Sequence, residues 1–338
     1  MLIDNNQQAF FTLVRGGLWE QEARLSSFGD IDYSVIRQLA EEQSIIGLVT
    51  AGMERVTDVA VPKEQKLLYV GSAIQIEQRN KAMNDFVAQL IDNLRSHDVY
   101  AILVKGQGIA QCYEKPLWRA CGDIDLLLSR ENFEKAKSYL IPIAASVDEE
   151  DRKRQHLAMT IDSFVVELHG TLNGGVSRCE KLGLDDVKKD IFEGGRVRSW
   201  MNGGTQVFLP SADNDVIIVF THILEHFFYG GIGLRQVCDW CRLLWTYRER
   251  LDLRLLESRI LRMGLMTEWR AFAALAVKDL GMPVDAMPLY SSGIKWLRKA
   301  DRIRAIILET GNFGHNRDNS HYQKHSFVFY KAISFFCN

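Results

Sequence analysis

Two aspartates separated by a single residue enter a run of apolar side chains at residues 123–128, which has the sequence Asp-Ile-Asp-Leu-Leu-Leu. A short apolar run of this kind predicts a buried β-strand. Because alternate side chains of a strand point to the same face, we expect Asp123 and Asp125 to lie on one face, about 7 Å apart. Two like charges there are costly unless a cation lies between them, and Mg²⁺ prefers carboxylate oxygens. The alternative is a strand that begins at the rim of a sheet and carries two solvated aspartates.

A second apolar run, at residues 100–104, ends in the turn Lys105-Gly106-Gln107. The run predicts a buried strand, and the glycine marks a turn after it. We expect a short helix at residues 108–113, whose first backbone N–H groups would face phosphate oxygens. This arrangement predicts a place for phosphate groups beside the acidic strand.

A β-hairpin is predicted further along the chain, where residues 157–161 precede a turn and residues 163–170 form the second strand. Alternation places Glu167 and His169 on the same face of that second strand. If this strand is a neighbour of the acidic one, Glu167 lies beside the aspartate pair. Three carboxylates on adjacent strands, opposite a glycine turn, are typical of a two-metal site for phosphoryl transfer.

The combined pattern resembles a known family. Lys-Gly, Tyr, Pro and Arg precede Asp-Ile-Asp-Leu-Leu, and Val-Glu-Leu-His follows about forty residues later. This order is similar to that of the uncharacterised nucleotidyltransferase family (NTP_transf_5), within the DNA polymerase β-like nucleotidyltransferase superfamily. The superfamily usually has Gly-Gly or Gly-Ser where this chain has Gly106-Gln107, and the spacer to Asp123 is longer here. The resemblance implies an α+β fold: a nucleotidyltransferase core with a small mixed β-sheet, flanked by N- and C-terminal helical regions.

The resemblance also implies an activity, the metal-dependent transfer of a nucleoside monophosphate from an NTP such as ATP to a hydroxyl acceptor. The acceptor is a small molecule, RNA or a protein, with a small molecule favoured. The residues expected to be catalytic and to hold two Mg²⁺ ions are Asp123, Asp125 and Glu167. Those expected to bind the nucleotide are Lys105, Gly106, Gln107 and Arg119. Two histidines, His169 and His222, are candidates for lining the cleft.

Two alternatives remain open. Gln107 at a position where the superfamily has Gly or Ser is compatible with a non-catalytic relative that binds a nucleotide or a partner through the same cleft. The second alternative is a zinc peptidase, because the sequence His-x-x-Glu-His places His222 and His226 one helical turn apart, with Glu225 as the base. A match of five residues is weak evidence, and the sequence does not identify a third zinc ligand.

Composition restricts the class of protein further. The chain has 338 residues and a formal net charge of −2, so it lacks the basic surface that extensive nucleic-acid binding requires. The N-terminus does not have the pattern of a signal peptide, and no apolar run approaches the roughly 20 residues of a membrane span. The six cysteines are scattered, as is typical of reduced thiols. We therefore expect a cytoplasmic protein.

The segments before and after the predicted nucleotidyltransferase core both have the apolar periodicity of helices. The predicted division is an N-terminal helical region at residues 1–96, the nucleotidyltransferase core at 97–210 and a C-terminal helical domain at 211–338. Three Gly-Gly pairs between residues 170 and 205 predict loops there. The aromatic-rich segment at residues 325–336 is expected to pack against the rest of the protein.

Overall fold

The structure is a computed structural model that describes residues 4–172 and 177–312. The aromatic-rich segment at residues 325–336 and the first of the three glycine pairs, at residues 174–175, lie outside the described residues. Within the described ranges no helix is both long enough and apolar enough to cross a lipid bilayer.

Helices make up most of the described chain. They are α1 (Asn5–Trp19), α2 (Tyr33–Glu42), α3 (Ile46–Met53), α4 (Lys63–Ser96), α5 (Gly106–Ala110), α6 (Arg130–Leu140), α7 (Arg178–Phe192), α8 (Ala212–Tyr229), α9 (Leu234–Tyr247), α10 (Leu253–Met263), α11 (Met266–Lys278) and α12 (Ile294–Thr310). Local chemistry explains several of their ends. The Ser129 hydroxyl accepts a hydrogen bond from the Asn132 N–H at 3.2 Å and begins α6. Gly264 ends α10 with a φ of 74°, a left-handed conformation that glycine adopts without strain.

The strands form one mixed sheet and one separate hairpin. They are β1 (Ala101–Val104), β2 (Asp123–Leu128), β3 (Ser146–Val147), β4 (His156–Ile161), β5 (Phe164–His169), β6 (Val197–Asn202) and β7 (Thr205–Pro210). The first five make a sheet in the order β1-β2-β5-β4-β3, in which β2 and β5 are parallel and the other pairs are antiparallel. The predicted α+β class, with a small mixed sheet flanked by helices, is confirmed.

The prediction of loops between residues 170 and 205 is wrong for much of that stretch. Helix α7 and strand β6 occupy it, and β6 pairs with β7. The two glycine pairs within the described residues mark the ends of these elements instead of a continuous loop. Gly194 and Gly195 follow the end of α7, and Gly203, with a φ of 60°, forms the turn between β6 and β7. Glycine therefore indicated the turns correctly but not the elements between them.

Among the described residues, two groups of buried apolar side chains stabilise the fold. One lies between the five-stranded sheet, helix α6 and the C-terminal half of α4. The other is larger and combines side chains from helices α1 to α3 with side chains from helices α8 to α12. The helices that precede the sheet in the sequence and those that follow it therefore share one apolar core. The predicted division into three domains remains a prediction.

Candidate active site

The neighbouring strands β2 and β5 carry the three predicted acids. They run parallel, and their register pairs Asp125 with Glu167 and Asp123 with Val165. Paired residues on adjacent strands point to the same side of a sheet, and alternate residues of one strand share a face. The structure therefore brings Asp123, Asp125 and Glu167 to one face of the sheet.

Lys105 supplies a positive charge to these acids. It follows β1 with a φ of 58°. This left-handed conformation costs on the order of 1–3 kcal/mol for a residue with a side chain, and such residues cluster at functional sites. The Lys105 ammonium donates to Asp125 Oδ1 at 2.7 Å. Burial acts to lower the pKa of Lys105, but the carboxylates of Asp125, Asp123 and Glu167 together leave that pKa raised. Lys105 is therefore charged at neutral pH.

The two aspartates differ in their electrostatic surroundings. Burial raises the pKa of Asp123, and the charge of Asp125 raises it further. Burial also acts to raise the pKa of Asp125, but Lys105 and His169 outweigh it, so that this pKa is lowered. A second carboxylate beside an ionised one favours the binding of a further cation. Because the donors are carboxylate oxygens, their chemistry fits Mg²⁺.

Two imidazoles contact the acids. His169 Nε2 lies 2.8 Å from Asp125 Oδ1 and 3.4 Å from Glu167 Oε2. His156 Nε2 lies 3.1 Å from the same Glu167 oxygen. Burial acts to lower the pKa of His169, but the hydrogen bonds to Asp125 and Glu167 leave it raised. Burial acts to raise the pKa of Glu167, and the hydrogen bonds from the two histidines leave it lowered. Glu167 is therefore ionised in contact with both rings.

His156 was not predicted as a site residue, although the sequence contained a signal for it. The hairpin pairs Ile161 with Phe164 across a two-residue turn, and the same register pairs His156 with His169. Extending the predicted hairpin by one residue at its open end would have placed the two imidazoles opposite each other. Their ring centroids are 4.8 Å apart. The prediction missed His156 because it began the first strand of the hairpin at Leu157.

A cavity of about 280 Å³ opens beside these groups. This volume is close to the lower end of the roughly 300–1,000 Å³ of small-molecule sites. Lys105, Glu167 and both imidazoles line the cavity, and helix α8 contributes His222 and His226. Asp125 is only 2% exposed and does not line the cavity. The Lys105 ammonium and the His169 imidazole contact its carboxylate. Of the three predicted acids, Glu167 is therefore the one that lines the cavity.

The helix that carries His222, Glu225 and His226 lines this cavity, but these side chains do not form a three-ligand metal site. Within residues 4–172 and 177–312, the only group of three or more His, Cys, Asp or Glu side chains with convergent donor atoms lies on β4 and β5. Glu225 instead contacts Arg154, with Nη1 and Oε1 3.4 Å apart. Burial lowers the pKa of His222 well below its ordinary value, and burial together with Lys105 lowers that of His226 to about 4. Both rings are therefore neutral cleft residues, and the peptidase alternative loses its structural basis.

Arg119 lies in different surroundings from those predicted. Its guanidinium is buried beside helix α9, where Nε donates to Asp239 Oδ1 at 3.1 Å. The Tyr113 hydroxyl donates to the same carboxylate at 2.8 Å. The role of Arg119 as a phosphate clamp stays a prediction, and in the structure its donors contact Asp239, the Ala120 carbonyl oxygen and the Cys121 sulfur. Arg119 connects the loop before β2 to α9.

The two other residues predicted at the turn, Gly106 and Gln107, lie in different surroundings. Gln107 is 2% exposed, and its amide contacts the Met83 sulfur. Gly106 begins α5 with a φ of 38° and lies close to the acidic strand, since a Cβ there would be 3.6 Å from the Asp123 carbonyl oxygen. The backbone of the turn is therefore near the acids, whereas the Gln107 side chain is directed into the interior.

The fold and the site together define a class of protein. A small mixed sheet with Asp-x-Asp on one strand and a glutamate on the parallel neighbour is consistent with the DNA polymerase β-like nucleotidyltransferase superfamily. The family model described as uncharacterised nucleotidyltransferase matches residues 23–281, and the chain belongs to that family. Searches of curated proteins and of solved structures found no match.

Proposed function

We propose that the protein transfers a nucleoside monophosphate from an NTP to the hydroxyl group of a small molecule. Family membership supports nucleotidyl transfer in general. The observation that carries the specific proposal is that Asp123, Asp125 and Glu167 share one face of the sheet, with Glu167 at the wall of a cavity. The cavity volume and the net charge of −2 favour a small acceptor over a nucleic acid.

The three carboxylates would hold Mg²⁺, which when bound supplies charge neutralisation for the phosphate oxygens and for the departing pyrophosphate. Lys105 binds Asp125 in the structure. With Mg²⁺ held by the acids, the Lys105 ammonium would be free to bind the phosphate oxygens, because two cations repel each other at one carboxylate. Lys105 thus keeps the acids compensated until the nucleotide arrives. The backbone of the turn at Gly106 lies beside the same phosphates.

Glu167 is the base in this proposal. The acceptor hydroxyl oxygen forms a bond to the α-phosphorus, the bond from that phosphorus to the bridging oxygen breaks, and pyrophosphate leaves. The hydroxyl proton passes to Glu167, which lines the cavity as a carboxylate. His156 and His169 hold that carboxylate in place through their contacts with Oε2. His222 and His226, as neutral rings on α8, contact the acceptor.

The proposal is tested first by binding. Calorimetric titration with each of the four NTPs in the presence of Mg²⁺ should show one nucleotide site in the wild-type protein. Asp123→Asn should weaken that binding strongly, because it removes an oxygen charge from the cluster. Asp285→Asn, at an exposed position on the short turn after α11, is the matched control and should bind as the wild type does. Equal binding by both variants would remove Asp123 from the site.

Activity is tested by the release of pyrophosphate from the preferred NTP in the presence of pools of small hydroxyl compounds. Glu167→Gln should lower the rate by on the order of 100-fold or more, since a positioned base contributes that much. Tight NTP binding without pyrophosphate release from any acceptor pool would favour the non-catalytic relative, for which the buried Gln107 is the supporting observation.

A further inference from the structure

Three donor atoms converge at the wall of the cavity. Nε2 of His156 and Nε2 of His169 lie 3.1 and 3.4 Å from Glu167 Oε2, and all three donors are within 4.8 Å of one another. The three side chains are partly buried and come from the two strands of one hairpin. The register of β4 and β5, which pairs the two histidines directly, fixes this arrangement.

Two of the three separations correspond to those of ligands around a single ion. A metal with bonds of about 2.0–2.1 Å to nitrogen in tetrahedral geometry separates its ligand atoms by roughly 3.4 Å. The two distances to Glu167 Oε2, 3.1 and 3.4 Å, are close to this separation. Two imidazole nitrogens and one carboxylate oxygen are a donor set for zinc and similar transition metals, whereas Mg²⁺ prefers oxygen donors.

We propose that His156, Glu167 and His169 bind one divalent transition-metal ion of the Zn²⁺ type. This site goes beyond the proposed nucleotidyl transfer, in which Glu167 is the base and the two histidines hold its carboxylate in place. Three protein ligands leave a fourth position for water or for an oxygen atom of a ligand, as in zinc sites that act on substrates. That position faces the cavity, because all three side chains belong to its lining.

The two histidines of helix α8 are another possible location for the metal ion, and a variant of one of them is therefore the control. His222 and His226 are one helical turn apart, with ring centroids separated by 4.3 Å, and they line the same cavity. A pair of histidines at this spacing can also bind zinc. A variant on β4 and a matched variant on α8 distinguish the two locations.

The experiment is a titration of metal-stripped protein with Zn²⁺ alone, in competition with a chromophoric chelator and without nucleotide. The wild type should contain a tight Zn²⁺ site that Mg²⁺ in excess does not block. His156→Gln should lower the affinity by more than about 100-fold, the upper end of the effect of losing a supporting outer partner. His222→Gln should leave the affinity unchanged. Circular dichroism tests whether both variants are folded. If His156→Gln does not fold, His169→Gln takes its place in the titration.

Three results would overturn the inference: no tight Zn²⁺ binding by the wild type, unchanged affinity in folded His156→Gln and His169→Gln, or loss of affinity in His222→Gln alone. The last would place the ion on α8. The outcome is separable from that of the proposed function. Pyrophosphate release with Mg²⁺ in a protein that does not bind Zn²⁺ would overturn only this inference. Zn²⁺ binding that depends on His156, in a protein inactive towards every NTP, supports it and contradicts the proposed transfer.

Discussion

The guanidinium of Arg119 illustrates how a charged residue in a promising motif can have a structural role. Burial acts to lower its pKa, but Asp239 outweighs burial and keeps that pKa well above the ordinary value, so the pair is ionic. Both side chains are less than one-tenth exposed. Two charges removed from water require each other, because each would otherwise remain uncompensated in a low dielectric.

Arg119→Met should therefore lower the free energy of unfolding by about 3–5 kcal/mol, since it leaves Asp239 buried without a countercharge. Urea denaturation followed by circular dichroism measures the change. The control is Arg37→Met, which breaks an exposed pair with Glu41 (Nε to Oε1, 2.8 Å) and should cost less than about 1 kcal/mol. Unchanged stability in Arg119→Met together with a selective loss of NTP binding would restore the phosphate role.

The Asp58 carboxylate leads to a prediction of how the stability of the fold depends on pH. Its carboxylate accepts the N–H groups of Leu25 and Ser26 at 2.9 and 3.0 Å. The hydrogen bond with the Ser26 side chain, followed by those with these two N–H groups, lowers the pKa of Asp58 to about 2. A lowered pKa in the folded state contributes stability above the unfolded pKa, near about 3.9, and that contribution is lost as the pH falls towards the folded value.

Asp58→Asn should accordingly lower the melting temperature at pH 7, and the difference from the wild type should shrink as the pH falls below about 4. Thermal melts at a series of pH values measure it, with the exposed Asp285→Asn as the control. A difference that stays constant down to the lowest pH at which the wild type folds would contradict the proposed cause.

At the scale of elements, helices α1 and α3 cross in close contact, and glycine makes this contact possible. A Cβ at Gly52 would overlap the Leu13 carbonyl oxygen, and one at Gly17 would overlap the Leu48 carbonyl oxygen. The two backbones are therefore in direct contact. By contrast, a Cβ added at Gly71, within the long helix α4, would meet no other atom within 4 Å.

Gly52→Ala should lower the free energy of unfolding by about 1–3 kcal/mol, because the helices must move apart to accept the methyl group. Gly71→Ala should instead raise it by about 0.5–1 kcal/mol, the gain in helix propensity. Both are measured by chemical denaturation under the same conditions. Equal effects of the two substitutions would show that the crossing of α1 and α3 is not in close backbone contact.

The hairpin of β4 and β5 is the element whose geometry was most accessible from sequence. Asp162 and Ser163 form its two-residue turn with φ values of 47° and 72°, as a type I′ turn requires. A turn of this length determines which residues pair, and the pairing then places Glu167 and both imidazoles. What the hairpin does not determine is its neighbour. The parallel pairing of β5 with β2 joins segments about forty residues apart in sequence.

At the scale of the whole molecule, the N-terminal helix α1 packs against the C-terminal helical region. Helix α1 contacts the segment after α11, where the Trp19 indole donates to the Leu280 carbonyl oxygen at 2.6 Å and Arg15 donates to that of Asp279 at 3.2 Å. Trp19 also packs against Trp245 of α9. The N-terminal helices therefore complete the apolar core of the C-terminal ones.

Leu13→Ala tests this coupling. Leu13 is fully buried in the shared core, and its truncation should cost about 2–5 kcal/mol. Hydrogen exchange should show that amides of α9 and α11 lose protection together with those of α1, because one cooperative unit contains all three. If α1 alone lost protection, the N-terminal helices would be a separately stable unit.

Several parts of the site were predictable because they depend on short stretches of chain. Strand β2 with Asp123 and Asp125, the turn at Lys105 and the hairpin with Glu167 each follow from apolar runs, alternation and turn residues. Arg119 was not predictable in the same way. Its partner Asp239 is 120 residues away, and no local sequence pattern indicates which two charged residues will be buried together.

The sequence alone determined the alternation of apolar and acidic residues on single strands, the turns between them and the resemblance to the nucleotidyltransferases, because these depend on residues close together in the chain. Only the tertiary structure decided that β5 lies beside β2, that helix α8 lines one cavity together with the hairpin of β4 and β5, and that Arg119 is bound to Asp239. Such contacts join distant segments, and the packing of the whole chain selects among the many pairings that each segment would accept locally.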